Sequence, residues 1–356
     1  MNQPTSPKGR GTASNPANRF EKIHLERDID WDPEEDPAPG TQLLKDSTST
    51  IITYNDSPDV GFNASVNPYR GCEHGCVYCF ARPTHEYLGF SAGLDFETKI
   101  MVKENAPELL RKELASPKWK PQVIALSAVT DCYQPVERKL KLTRRCLEVL
   151  AEFHNPVTIL TKNHLVTRDL DLLSELARHR AAAVFLSVTT LDPSLASKLE
   201  PRASLPNYRL AAIEALSRGG VPVGVLMAPI IPGLTDHEIP SLLMAAAKAG
   251  AQYAGYVPLR LPFGLKGLFE DWLTRHFPSQ KEKVLNRIRS LRGGRLNDPN
   301  FGTRMRGEGP LADQLEALFA VSSRKAGLAE SHPELDCGAF RVPVSARAHK
   351  QSIFPF

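Results

Sequence analysis

Gly71-Cys72-Glu73-His74-Gly75-Cys76-Val77-Tyr78-Cys79-Phe80 packs three of the chain's six cysteines into eight residues, in the spacing C-x3-C-x2-C. No fourth cysteine stands nearby. Thiolates are the soft ligands that iron-sulfur clusters need, and short spacing lets one loop wrap three irons of a cube. A four-iron cluster has four iron corners, so three thiolates leave one iron free to bind something other than protein. Gly75 gives the loop a residue that takes a positive φ without a Cβ penalty. Two other metal sites draw on the same residues. One is a zinc ion on Cys72, Cys76 and Cys79 with His74 or His85; the other is a structural cluster closed by the distant Cys337. Zinc sites usually come as two separated pairs of ligands, which this loop lacks, so the open-iron cluster is the expectation.

Outward from the loop, short apolar runs alternate with helical patterns. Candidate strands are Ala64 to Pro68, Gln122 to Val129, Pro156 to Thr161, Ala182 to Thr190, Val221 to Ile230 and Gln252 to Pro258. Most are continuous apolar runs, as expected of parallel strands covered on both faces. Between them Leu142, Cys146, Leu150 and Phe153 make one helical stripe, which makes Cys146 a core residue. Thr167 is placed to cap the helix carrying Leu170, Leu173 and Leu176. Asp192-Pro193 starts another helix, and Asp236 opens one that stops at Gly250. Six strands in alternation with helices predict a parallel α/β fold, and six units rather than eight suggest a partial, open barrel.

Residues 1–45, rich in Pro, Asn, Asp, Glu and Gly, read as an irregular N-terminal arm, with Glu34 to Gly40 as a linker. Residues 46–265 form the core domain, and 266–356 a helical C-terminal extension and tail. A hydrophobic content of 42% with 24% charged residues fits a globular protein with ample core. The net charge of +4 is too mild to argue for nucleic acid by itself. The cysteines are too sparse for a disulfide scaffold, and their crowding suits a reducing compartment. With no signal peptide and no apolar run of membrane length in view, the chain is expected to be cytoplasmic.

In parallel α/β barrels functional groups gather at the carboxyl ends of strands. Those ends here carry Ser127 to Asp131, Leu160 to His164, Ser187 to Thr190, Met227 to Pro229 and Pro258 to Arg260. Lys162 suits a carboxylate or phosphate at a barrel mouth better than it suits a core. Cys132, between Asp131 and Tyr133, is a candidate redox or hydrogen-donating thiol. Glu137, Glu200 and Arg202 fit buried ion pairs or substrate contacts equally. The basic residues Lys281, Lys283, Arg287, Arg289, Arg292 and Arg295 fit a solvated helix face. Neither they nor the basic segment Lys8 to Arg19 carry interleaved aromatics of the kind that favour single-strand binding.

The cysteine motif resembles the fingerprint of the radical S-adenosylmethionine (SAM) superfamily. The resemblance runs from about Gly61 to Arg306 and also rests on Asn67 to Cys72, Thr130 to Pro135, Leu160 to Lys162, Glu200 to Arg202 and Ala228 to Gly233. It is nearest the branch related to spore photoproduct lyase, loosely called DNA-repair-photolyase-like. The resemblance implies a partial (β/α)6 barrel and a [4Fe-4S] cluster on Cys72, Cys76 and Cys79. It implies a SAM molecule on the open iron, cleaved reductively to a 5′-deoxyadenosyl radical that abstracts hydrogen from a substrate. Tyr78 would lie near the adenine, and Thr130, Lys162 and Ser187 fall where that branch contacts SAM. The lyases carry a hydrogen-donating cysteine two residues before the position of Thr130, where this chain has Ala128. Expected partners are an unidentified substrate, with nucleic acid as a candidate, and an electron donor such as a flavodoxin or ferredoxin; the expected state is a monomer without membrane association. The alternative is a non-catalytic iron-sulfur protein that binds or senses.

Overall fold

The computed structural model of the chain describes residues 7–21 and 40–344. Ten strands appear in chain order: β1 (Gln42–Lys45), β2 (Ile52–Tyr54), β3 (Ala64–Val66), β4 (Tyr69–Arg70), β5 (Lys99–Val102), β6 (Ile124–Leu126), β7 (Val157–Thr161), β8 (Ala182–Ser187), β9 (Val223–Ile230) and β10 (Tyr253–Pro258). The six expected strands are β3 and β6 to β10. They lie side by side in the order β3-β6-β7-β8-β9-β10, each pair parallel. The continuous apolar runs have the expected cause, since β6 and β8 are buried at every position.

Helices Ala106–Leu114, Leu142–Phe153, Leu170–Arg178, Pro193–Leu199, Pro206–Arg218 and Ile239–Lys248 fill the crossovers. The result is a mixed α/β fold of the partial-barrel type, with β2 added antiparallel beside β3 at one edge. Asp192 caps its helix as expected, its side chain accepting from the Ser194 N–H at 2.8 Å. Thr167 caps nothing: it sits inside a 3-10 turn, where its hydroxyl donates to the His164 carbonyl at 2.9 Å. Asn163 caps that turn instead, accepting from the Leu165 N–H.

Two features depart from the sequence expectation. β1 lies in the stretch read as irregular; it has three exposed positions and hence no apolar alternation, and is held by backbone pairing with β5. With β4 it completes a three-stranded sheet, β1-β5-β4, beside the cysteine loop. The C-terminal region, in turn, is built into the core. Helix Pro310–Ala326 buries Ala312, Leu315 and Phe319, and the Phe319 ring lies 4.5 Å from Tyr256 of β10. This helix packs on Ile239–Lys248, so β10 gains a covering helix only after a long excursion. Within that excursion helices Leu265–His276 and Lys281–Ser290 bury Phe269, Trp272, Val284 and Ile288 in one cluster with Cys76, Val77 and Tyr78. The expected linker lies, except for Gly40, outside the described residues. Among the described residues no helix is long and apolar enough to cross a membrane.

Candidate active site at the barrel mouth

β4 feeds directly into the cysteine loop, at the end of the sheet where the parallel strands finish. Gly75 has the expected positive φ, +67°, and Gly71 has another, +79°. The loop is pinned by backbone bonds: the Cys72 N–H donates to the Phe96 carbonyl at 2.9 Å and the Val77 N–H to the Leu199 carbonyl at 3.1 Å. Behind it lies an ion pair with no exposed surface, Arg82 with Glu97 at 2.6 Å. Arg82 Nε donates to the Cys76 carbonyl at 2.8 Å. Glu97 also accepts from Gly11 N–H (2.9 Å), Thr12 N–H (3.1 Å) and Thr12 Oγ1 (2.9 Å). The N-terminal segment, irregular as expected, is therefore seated on the loop. A Cβ on Gly11 would stand 1.8 Å from the Gly75 carbonyl oxygen.

The neighbouring strand ends brace the loop from the other side. Gln134, fully buried, accepts from the Glu73 N–H at 2.9 Å and donates to the Gly71 carbonyl at 3.2 Å. Glu73 pairs with Arg202 at 3.0 Å and accepts from the Val136 N–H at 2.6 Å. Asp131 accepts from Thr161 Oγ1 and the Lys162 N–H, both at 2.8 Å. His74 bridges the loop to these ends, with Nδ1 3.3 Å from Asp131 Oδ2 and Nε2 3.2 Å from Asn163 Nδ2. Burial works against the Asp131 charge, yet His74 and the donors hold its carboxyl below the ordinary range. Sequence reasoning places Asp131 and Asn163 at functional strand ends without a role of their own, and carries Gln134 only inside the Thr130 to Pro135 motif.

The residues singled out beforehand divide. Tyr78 is buried; its hydroxyl donates to Glu200 and lies 3.2 Å from Thr189 Oγ1. Glu200 forms a fully buried pair with Arg209, which also donates to the Ser187 carbonyl at 2.9 Å. Burial alone would raise the Glu200 carboxyl, but Arg209, Lys162 and their hydrogen-bonding neighbours hold it at about 2. Lys162 Nζ lies 5.9 Å from the Tyr78 ring centre and has no ion-pair partner among the described residues. Thr130 is buried, its hydroxyl donating to the Tyr69 carbonyl at 3.1 Å. Glu137, like Glu200 and Arg202, is spent on structural pairing, with Arg168 at 2.7 Å.

Cys132 is displaced from its expected place. It has no exposed surface and belongs to the main core with Cys146 and Leu126, not to the mouth. Ser127, at φ +74°, turns the chain there and accepts from the Cys132 N–H at 2.7 Å. Burial first, and the Asp131 charge second, push this thiol well above its ordinary range.

Cys72 and Cys76 are buried and Cys79 half-buried, among Val77, Tyr78, Ala81 and Phe96. Burial is the main cause that raises the Cys72 and Cys76 thiols, with the Asp131 charge next for Cys72 and the Glu200 charge next for Cys76. This donor set fits a three-thiolate cluster. His74 is no ready fourth ligand for zinc, because both of its ring nitrogens are engaged, whereas those of His85, whose ring packs against Phe90 and Phe96, are buried without a hydrogen-bond partner. Among the described residues no three His, Cys, Asp or Glu side chains converge on one ion position.

Comparison with known proteins agrees with this architecture. The family model of the Radical SAM superfamily matches residues 66–246. An uncharacterized protein of Mycobacterium tuberculosis is 39% identical over 248 residues, 69% of this chain and 72% of that one. A Pseudomonas phage M6 protein named radical SAM Nalpha-GlyT isomerase is 26% identical over 175 residues, 49% of this chain and 34% of its own. Spore photoproduct lyase complexed with dinucleoside spore photoproduct superposes with a TM-score of 0.59 at 15% identity, covering 82% of each chain, which is a likeness of fold.

Proposed function

The chain belongs to the radical SAM superfamily, and on that footing we propose that Cys72, Cys76 and Cys79 hold a [4Fe-4S] cluster whose fourth iron takes SAM. Such a cofactor pair, when bound, supplies one-electron cleavage of SAM and a carbon-centred radical that abstracts hydrogen from an unactivated C–H bond. The observation that carries the proposal is the loop itself: three thiols on one buried turn, braced on both sides and with no fourth cysteine in the loop. The protein's own work is to hold, orient and exclude. Lys162, which makes no ion pair among the described residues, suits the SAM carboxylate. Thr130 and Ser187 stand at strand ends beside the loop that carries Tyr78, which is locked in place by Glu200 and Thr189. The apolar residues around the thiols keep water from the cluster and so tune its potential.

For the substrate we propose nucleic acid or a nucleotide-containing piece of it. The support is fold-level analogy to a lyase seen with a dinucleoside. Repair of the spore photoproduct itself is not proposed, because Ala128 stands where the lyases carry their hydrogen-donating cysteine and Cys132 is sealed in the core. A one-electron donor of the flavodoxin or ferredoxin class would complete the system, with the enzyme as a monomer. The test is an anaerobic incubation of reconstituted protein with reductant and SAM, quantifying 5′-deoxyadenosine beside Cys72→Ala and Cys76→Ala. Product in the wild type and none in either variant is expected. A Cys72→Ala protein that still makes it would refute the assignment. A fully iron-loaded wild type that makes none, with or without oligonucleotide, would favour a sensing or binding protein.

A further inference from the structure

The last strand ends in a group of arginines that the cluster site does not use. Arg260 follows β10 at the same end of the sheet as the cysteine loop. Its Nε is buried without a hydrogen-bond partner, and among the described residues its guanidinium makes no ion pair. Its Nη1 donates to Met305 Sδ at 3.0 Å, and a thioether is a weak acceptor. Arg292, expected on a solvated face, is 2% exposed. It donates to the carbonyls of Pro258 (3.0 Å), Leu259 (3.1 Å), Thr303 (3.0 Å) and Arg304 (2.8 Å) and makes no ion pair with a carboxylate among the described residues. Arg304 binds Asp59 and, at 2.8 Å, Ser57, both in the turn between β2 and β3. The segment 302–304 is thus fastened to both edges of the open sheet.

Three guanidinium groups here share Asp59 as their one direct carboxylate partner among the described residues. Burial, then repulsion from Arg304, lowers the Arg260 pKa, and burial with repulsion from Arg260 brings Arg292 down to about 10. An unpaired guanidinium in that setting offers its planar fork to an oxyanion. The cavity beside Arg292 and Arg295, about 220 Å³, also carries Asp298 and Glu308, and Arg260 lies outside its lining. Phe301, 60% exposed, sits next to this group with Arg304 4.3 Å from its ring centre. A guanidinium seat beside an open aromatic face is the combination used to hold single strands, phosphate on one and base on the other.

We infer that Arg260, backed by Arg292 and Arg304, seats a phosphate of a single-stranded nucleic-acid substrate at the carboxyl end of β10, with Phe301 stacking a neighbouring base. This deepens, and rests on, the nucleic-acid part of the proposal above. The experiment is fluorescence anisotropy of iron-loaded protein with a short labelled oligothymidylate over a salt series. Arg260→Gln is expected to weaken binding about tenfold and to lower the log–log salt slope by about 0.7, one phosphate on a single strand. Phe301→Ala should weaken binding by at least about fivefold and leave the slope unchanged. Lys112→Gln, on the helix Ala106–Leu114, removes the same charge elsewhere and serves as the control. A wild type that does not bind, or an Arg260→Gln indistinguishable from Lys112→Gln, overturns the inference. If Arg260→Gln does not fold, Arg260→Lys keeps the charge without the fork. It should retain the slope and lose affinity, and undiminished affinity counts against the seat. Oligonucleotide binding without any SAM cleavage would sink the radical chemistry and leave this seat standing.

Discussion

Glu200 holds Tyr78, Thr189 and Arg209 together in a space with almost no solvent, and its charge is the reason the arrangement is stable. Its carboxyl, at about 2, lies below the ordinary 4.5. The stability it contributes is therefore fully present above about pH 4.5 and is lost as pH falls toward about 2. That difference corresponds to about 3 kcal/mol. Glu200→Gln should lower the melting temperature near neutral pH, because it leaves the Arg209 guanidinium buried without its counter-charge. The variant should also lose less stability than the wild type between about pH 5 and 2. Parallel acid profiles in thermal melts would show that Glu200 does not carry this term.

At the scale of elements, the N-terminal segment and the cysteine loop behave as one unit. Gly11 allows a backbone-to-backbone approach that no other residue permits, since its Cβ would fall on the Gly75 carbonyl oxygen, which is not a flexible side-chain end. Gly11→Ala should push the segment off the loop and loosen the Glu97–Arg82–Cys76 chain of contacts. The expected cost is roughly 1–3 kcal/mol, as for other overpacked sites. Iron retained after reconstitution should fall with it. Denaturant unfolding together with iron analysis tests this, and full iron with unchanged stability would mean that the loop is rigid without its strap.

For the molecule as a whole, the open barrel is closed by chain that comes after it. Helix Pro310–Ala326 covers the sheet beside β10 through Ala312, Leu315 and Phe319, while Arg292 and Arg304 fasten the intervening segment across the edges. Phe319→Ala should cost about 3–5 kcal/mol, the usual range for emptying an aromatic site in a core. A chain ending at Gly309 should fail to fold cooperatively, because it uncovers apolar surface around Tyr256 and helix Ile239–Lys248. Circular dichroism melts decide between that and an independently folding barrel, which would unfold in a single transition without the helix.

Local sequence was enough for the cysteine loop, the positive φ of Gly75, the six parallel strands and the stripe that buries Cys146, because each is written in spacing or in period over a few residues. Period reports which face of an element is apolar; it does not report which distant element lies against that face. Cys132 looked like a mouth residue from its polar neighbours, and the turn at Ser127 sends it into the core. Arg292 looked solvated within a basic run, yet four carbonyls from two other segments surround its guanidinium. Glu97 and Gly11, 86 residues apart, carry no signal toward one another in the sequence. Tertiary structure alone made these pairings, because burying a charge or a backbone donor is tolerable only where a partner from elsewhere in the chain arrives to satisfy it.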